Sequence, residues 1–200
     1  VGRTLLQAPK MLSLDAADRS DFLRYFYDRY KGASLEQLQE DSAEMFSDLI
    51  LTKSFPEAIR RVREHRALGH RTVLITGALD FVVEPLRPLF DDIVAPSLMI
   101  SEDGTRYTGR MDEVPPTGET RAQALRDYAD ANGIDLDNSI AYADSTSDLP
   151  MLEAVGYPVA VNPETKLASL ARRRGWLIEN FSRAPGGPRK ILPIGSRKTA

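Results

Sequence analysis

Apolar residues along this chain fall either into helix-spaced stripes or into short continuous runs, and the order of the two patterns outlines the architecture. Phe22, Leu23, Phe26, Tyr27 and Tyr30 form an aromatic stripe on one helical face, which suits packing better than a cofactor contact. Lys31-Gly32-Ala33 closes that helix, and Ser34-Leu35-Glu36-Gln37 opens the next with capping-box spacing. Leu38, Met45, Phe46, Leu49 and Ile50 give the second helix its apolar face. Before them, Pro9 interrupts a weakly helical start, so residues 1–53 are expected to form a small helical unit.

From residue 54 the pattern changes. Pro56 suits the first turn of a helix running through Ala58, Ile59, Val62 and Leu68, with Arg60, Arg61, Arg63, Glu64, His65 and Arg66 as a solvated outer surface. Residues 71–77 are β-branched and apolar, a buried strand that stops at Thr76-Gly77. A helix over residues 79–90 is expected to be interrupted by Pro85 and Pro88. Short strands at 92–96 and 97–101 lead through a turn at 102–105 into residues 106–110. A helix over 119–132 buries Ala122, Leu125, Tyr128 and Ala129 and stops at Gly133. Residues 139–143 read as a strand, Leu149, Met151, Leu152 and Val155 as a helix, and 157–161 as another strand. A helix through Leu167, Leu170 and Ala171 and a strand at 176–178 complete the series. Strand and helix alternate throughout residues 54–181, which predicts an α/β domain with a doubly wound parallel sheet. Residues 182–200 are basic and rich in Pro and Gly, a linker or surface arm, with contact to anionic lipid as the alternative.

Composition narrows the chemistry. Two hundred residues with 42% hydrophobic content suffice for one domain, or for a domain with a small insert. The chain has no cysteine and two histidines, which leaves no disulfide framework, thiolate nucleophile or cysteine zinc site and disfavours a histidine metal cluster. A net charge of −3 does not suit a general nucleic-acid binder. No apolar run approaches the roughly 20 residues of a membrane helix, and the start lacks a secretory pattern, so a cytoplasmic location is expected. The first residue is Val1, and the chain is expected to be a segment of a larger protein.

The chemistry therefore falls to carboxylates, hydroxyls and basic side chains. Asp144 and Asp148 follow the 139–143 strand, at the sheet rim where ligands bind in open α/β folds, and can offer oxygen ligands to a hard cation such as Mg²⁺. The same residues also suit a helix start, with Asp144 or Ser145 as N-cap and Asp148 favoured by the helix dipole. Thr76 and the Gly77 backbone offer a hydroxyl and an N–H to phosphate oxygens, and Arg121 offers a neutralising charge. Together the three elements match phosphoryl-transfer chemistry.

In motif order and spacing these residues resemble the haloacid-dehalogenase superfamily, most closely its phosphoserine-phosphatase-like branch. Thr76-Gly77 looks like the family's phosphate-binding Ser/Thr-Gly. Arg121 stands at the family's basic position, roughly two dozen residues before the acidic motif, and Asp144 with Asp148 matches that Asp-x-x-x-Asp motif. Residues 104–110 and 160–163 add further likeness, and residues 1–53 look like the family's helical cap. The resemblance implies a Mg²⁺-dependent phosphomonoester hydrolase acting on a small phosphorylated substrate. In it Thr76, Gly77 and Arg121 hold phosphate, Asp144 and Asp148 hold metal, and Arg121 and Asp148 belong to the catalytic set.

The chain departs from the family at its start. The family nucleophile lies in an Asp-x-Asp motif on a first strand ahead of the cap, whereas Asp15 and Asp18 lie in a polar segment with no apolar strand before them. That strand belongs at the sheet centre, between those ending at Thr76 and at Asp144, and is expected upstream of Val1. Arg121 also replaces the usual lysine, and Ser147 stands where close relatives carry asparagine. By analogy, the parent protein is expected to be multidomain, such as a fusion with a lipid-metabolising enzyme. A catalytically silent module that binds a phosphorylated ligand or scaffolds a fused enzyme is the alternative. A response-regulator or nucleotide-binding domain has no supporting glycine loop.

Overall fold

The structure, a computed structural model, describes residues 26–111 and 115–184, with only the backbone of residues 48–52. Phe22, Leu23, Asp15, Asp18 and the tail beyond Ala184 lie outside the described residues. Helix α1 (Leu35–Lys53) starts where the capping pattern places it: Ser34 Oγ accepts the Gln37 N–H at 3.4 Å. Pro56 occupies the first turn of α2 (Pro56–Ala67), where its missing N–H costs no intrahelical bond. Strand β1 (Val73–Ile75) is followed by α3 (Asp80–Val83) and a 3₁₀ turn over Glu84–Leu89. The helix expected over 79–90 is thus only one α-turn long, because Pro85 and Pro88 supply no N–H to continue it.

Strand β2 (Asp92–Val94) pairs in parallel with β1, and β3 (Leu98–Ile100) forms an antiparallel pair with β4 (Tyr107–Met111). Helix α4 (Glu119–Asn132) has the expected bounds, and Gly133 ends it in the left-handed conformation. Strand β5 (Ile140–Ala143), helix α5 (Leu149–Glu153), strand β6 (Tyr157–Val161), helix α6 (Thr165–Arg174) and strand β7 (Leu177–Glu179) follow. The last strand begins one residue later than expected. Gly175 is left-handed and the Trp176 N–H returns to the Ala171 carbonyl at 2.9 Å, so Trp176 belongs to the helix end.

Strands β5, β6 and β7 form one parallel sheet in that order, and β1 and β2 another. Ala141 and Ala160 face a core built with Ala122 of α4, Leu152 of α5, and Leu167 and Ala171 of α6. Tyr142, on the opposite face of β5, donates to or accepts from His65 of α2 at 2.7 Å. Helices therefore cover both faces, the doubly wound arrangement. Among the described residues β1 and β5 do not pair with each other.

A second core joins the aromatic stripe to the hairpin. Tyr27 is buried with Leu79, Phe81, Leu98 and Tyr107, and Tyr30 packs edge-on against Phe81. The stripe is packing, with Ser42 of α1 donating to the Phe81 carbonyl at 2.9 Å to tie helix to helix. The basic surface of α2 is more engaged than expected. Arg61 bridges to Glu179, Arg66 to Asp91, and His65 contacts both His70 and Tyr142, because β5, β7 and the segments leading into β1 and β2 bring acids and ring groups up to it. Among the described residues no helix is long and apolar enough to cross a membrane.

Candidate active site

The site forms where three segments meet at the carboxyl ends of β1 and β5. The first is the turn after β1. The Thr76 N–H is held by the Val94 carbonyl at 3.0 Å, and its hydroxyl oxygen accepts the Ala78 N–H at 3.1 Å, which fixes the turn's shape. The second is the approach to α4. A Cβ added to Gly77 would stand 3.3 Å from Thr117 Cγ2, 3.5 Å from the Pro116 carbonyl oxygen and 3.9 Å from Arg121 Nη2. The turn therefore lies close against residues 116–117, and a Cβ there would press on the Thr117 side chain.

Arg121 is divided among three directions. Its Nε donates to the Pro116 carbonyl at 3.0 Å, its Nη1 pairs with Asp148 Oδ1, and its Nη2 is the nitrogen nearest the Thr76-Gly77 turn. The Arg121 side chain is 18% exposed and that of Asp148 8%, so the pair is largely shielded from water and from salt.

The third segment is the acidic loop. Ser145 caps a 3₁₀ turn over Thr146–Asp148, its hydroxyl accepting the Ser147 N–H at 3.2 Å and its carbonyl the Asp148 N–H at 3.1 Å. The helix-start reading of this stretch is met, with Ser145 as cap. Gly118 at the head of α4 comes close to the loop, since a Cβ there would be 3.6 Å from the Ser147 carbonyl oxygen. The two aspartates differ in setting. Asp148 is buried against Arg121, while Asp144 is exposed and its carboxylate makes no hydrogen bond or ion pair among the described residues.

Two acids that the sequence reading passed over border these segments. Glu164 reaches the acidic loop from the head of α6: its Oε1 accepts the Thr146 N–H at 2.8 Å and the Thr146 hydroxyl. Those bonds hold its carboxyl below the usual glutamate range. Asp80, just beyond the Thr76-Gly77 turn, is pushed up by burial, partly offset by the Phe81 N–H it accepts at 2.7 Å. Neither residue type is a distinctive motif at its position, so only the fold could bring them forward.

Thr76, Gly77, Arg121 and Asp148 thus form one connected constellation, with Asp144 on the same loop at its rim. Among the described residues no group of three or more acids or histidines is arranged to hold a metal. Asp144 offers an exposed carboxylate of the kind a Mg²⁺ ion takes alongside water, whereas part of Asp148's oxygen capacity is already engaged by Arg121.

Comparison with known proteins identifies the family. The profile of the haloacid dehalogenase-like hydrolase family matches residues 2–153. An "inhibition of morphological differentiation protein" of Streptomyces azureus is 39% identical over 76% of this chain and 55% of its own length. A histidinol-phosphatase of Neisseria meningitidis is 31% identical over 82% of this chain and 76% of its own length. The solved structure of a protein of unknown function from Bordetella pertussis Tohama I superposes with a TM-score of 0.80 at 25% identity, covering 89% of this chain and 82% of that one. The chain spans 55–57% of the length of the first curated relatives it matches. With its motifs in this order on this fold, the chain belongs to the haloacid dehalogenase-like hydrolases, in their phosphoserine-phosphatase-like branch.

Proposed function

We propose that this chain is the phosphate-handling part of a Mg²⁺-dependent phosphomonoester hydrolase. The observation that carries the reading is the split of Arg121: one side of its guanidinium is anchored by Asp148 and Pro116, and Nη2 is turned towards the Thr76-Gly77 turn. A phosphate seated there would take a charge-assisted hydrogen bond from Nη2 and further bonds from the Thr76 hydroxyl and the Gly77 N–H. Asp148 orients Arg121, and Asp144 and Asp148 would hold the Mg²⁺ ion. Bound Mg²⁺ would supply charge neutralisation at the phosphate oxygens.

The reading takes the nucleophilic aspartate from a strand between β1 and β5, which do not pair with each other among the described residues. That carboxylate would attack phosphorus with departure of the alcohol, and water would then hydrolyse the aspartyl phosphate. The substrate class is a small phosphate ester, in keeping with the relative named a histidinol-phosphatase. The helices before residue 54 serve as the cap, and the chain acts in the cytoplasm within a longer protein. A catalytically silent phosphate-binding module is the second reading, favoured by the lack, among the described residues, of three or more acids or histidines arranged to hold a metal.

The test is turnover of a panel of phosphate esters by the intact protein with Mg²⁺. Activity that Asp144→Ala abolishes is expected. No turnover above that variant sinks the hydrolase reading and leaves the silent one.

A further inference from the structure

The rim carboxylate of the site, Asp144, is held by its own strand on one side only. What fixes the other side is the head of α6. The Glu164 N–H donates to the Asp144 carbonyl at 3.0 Å, and the Glu164 carboxylate accepts the Thr146 N–H at 2.8 Å together with the Thr146 hydroxyl. One residue thus grips the loop on both sides of Ser145.

The grip is not a by-product of helix capping. Glu164 is the N-cap residue of α6, but its side chain makes no capping bond to its own helix. The carboxylate goes to the neighbouring loop instead, where it completes the turn: the N–H groups of Thr146, Ser147 and Asp148 are then all satisfied, the latter two by Ser145. Glu164 is itself anchored. Asn162, two residues earlier, adopts a left-handed φ of 43° and exchanges hydrogen bonds with Phe181, its Nδ2 donating at 3.0 Å and its Oδ1 accepting at 2.8 Å. The Asn162 N–H also donates to the Glu179 carbonyl at 2.8 Å. The acidic loop is therefore tied through Glu164 and Asn162 to the end of β7.

We propose that Glu164 is a positioning residue that clamps the acidic loop and so holds the Asp144 carboxylate in place for Mg²⁺. The inference rests on the hydrolase reading above. Groups that orient a metal ligand change metal affinity or activity by about 10- to 100-fold when removed. Glu164 touches neither the phosphate position nor Arg121, so its loss should act on the metal requirement rather than on phosphate binding.

The test uses the intact protein with Glu164→Ala and Glu164→Gln, the second keeping a side-chain oxygen that can accept from Thr146. Two measurements are made. Hydrogen exchange resolved to the Thr146 amide should accelerate about tenfold in Glu164→Ala, the loss of one charge-assisted bond, and recover largely in Glu164→Gln. The Mg²⁺ concentration giving half-maximal turnover of p-nitrophenyl phosphate should rise about tenfold or more in Glu164→Ala, with KM for the ester at saturating Mg²⁺ little changed. Unchanged Thr146 exchange overturns the clamp. Faster exchange with an unchanged Mg²⁺ requirement overturns its role in holding Asp144. If wild type and Asp144→Ala are equally inactive, the hydrolase reading falls and the positioning role with it, and the exchange data still decide separately whether Glu164 holds the loop.

Discussion

Removing one member of the Arg121–Asp148 pair should cost far more than removing both. The two side chains are 18% and 8% exposed, so each has given up most of its hydration for the other. Arg121→Met takes the guanidinium away from the buried Asp148 carboxylate, a change that costs about 3–5 kcal/mol. The Pro116 carbonyl also loses the Nε–H donor it now has at 3.0 Å, which adds about 1 kcal/mol. For a domain of this size each kcal/mol moves the melting temperature by about 2–4 °C. At the lower end of these costs, about 4 kcal/mol together, Arg121→Met should melt about 8–16 °C below wild type. Asp148→Leu strands the guanidinium, which is the more exposed partner, and should cost somewhat less. The double variant Arg121→Met/Asp148→Leu places apolar groups on both sides and should recover most of the loss, ending within about 4 °C of wild type. Thermal unfolding followed by circular dichroism on the four proteins gives the coupling directly. If the two single losses simply add in the double variant, the pair is not the buried unit described here and the anchoring of Arg121 fails as an argument.

Gly156→Ala should destabilise the chain by about 2–3 kcal/mol, since a Cβ there would fall 1.9 Å from the Asp137 carbonyl oxygen and backbone must move to admit it. A melting temperature equal to or above wild type refutes this. His65 titrates below the usual histidine range, chiefly through burial and then through His70 and Arg61. Because its folded pKa is depressed, the folded state binds fewer protons than the unfolded one. Stability should therefore fall as pH drops below about 6.5, and the fall should flatten in His65→Phe. Identical melting profiles for the two proteins from pH 7.5 to 5 refute it. Asp103 is lowered to about 2 by the Ser101 hydroxyl and then by the Thr105 N–H and hydroxyl. Its contribution to the β3–β4 turn is present above the unfolded pKa near 3.9 and lost as pH falls towards about 2. Hydrogen exchange of the Thr105 amide should rise across that window in wild type and show no such step in Asp103→Asn.

Much of the architecture was legible in the residues alone, because local rules act locally. Ser34 and Gln37 marked one helix start, Pro56 another, and Gly133 a helix stop, each through backbone needs that a single turn must satisfy. The alternation of buried runs with helical stripes made the parallel α/β class readable, since each element must bury one face against the next. The motif spacings pointed to Thr76, Gly77, Arg121 and Asp148, which the fold does bring together. Other features depended on distant segments and carried no local signal. That Trp176 ends a helix rather than starts a strand depends on its return bond to Ala171. That α2 is a connected face rather than a solvated one depends on Asp91, Tyr142 and Glu179 arriving from three other strand segments. The unequal settings of Asp144 and Asp148, identical in a sequence, follow from where α4 places Arg121. Glu164 owes its reach to the left-handed turn at Asn162 and the β6–β7 pairing. Residue type and spacing determined which chemistry was available; tertiary packing decided which carboxylate was buried and paired, and which was left facing outward, because desolvation and pairing exist only once remote segments meet.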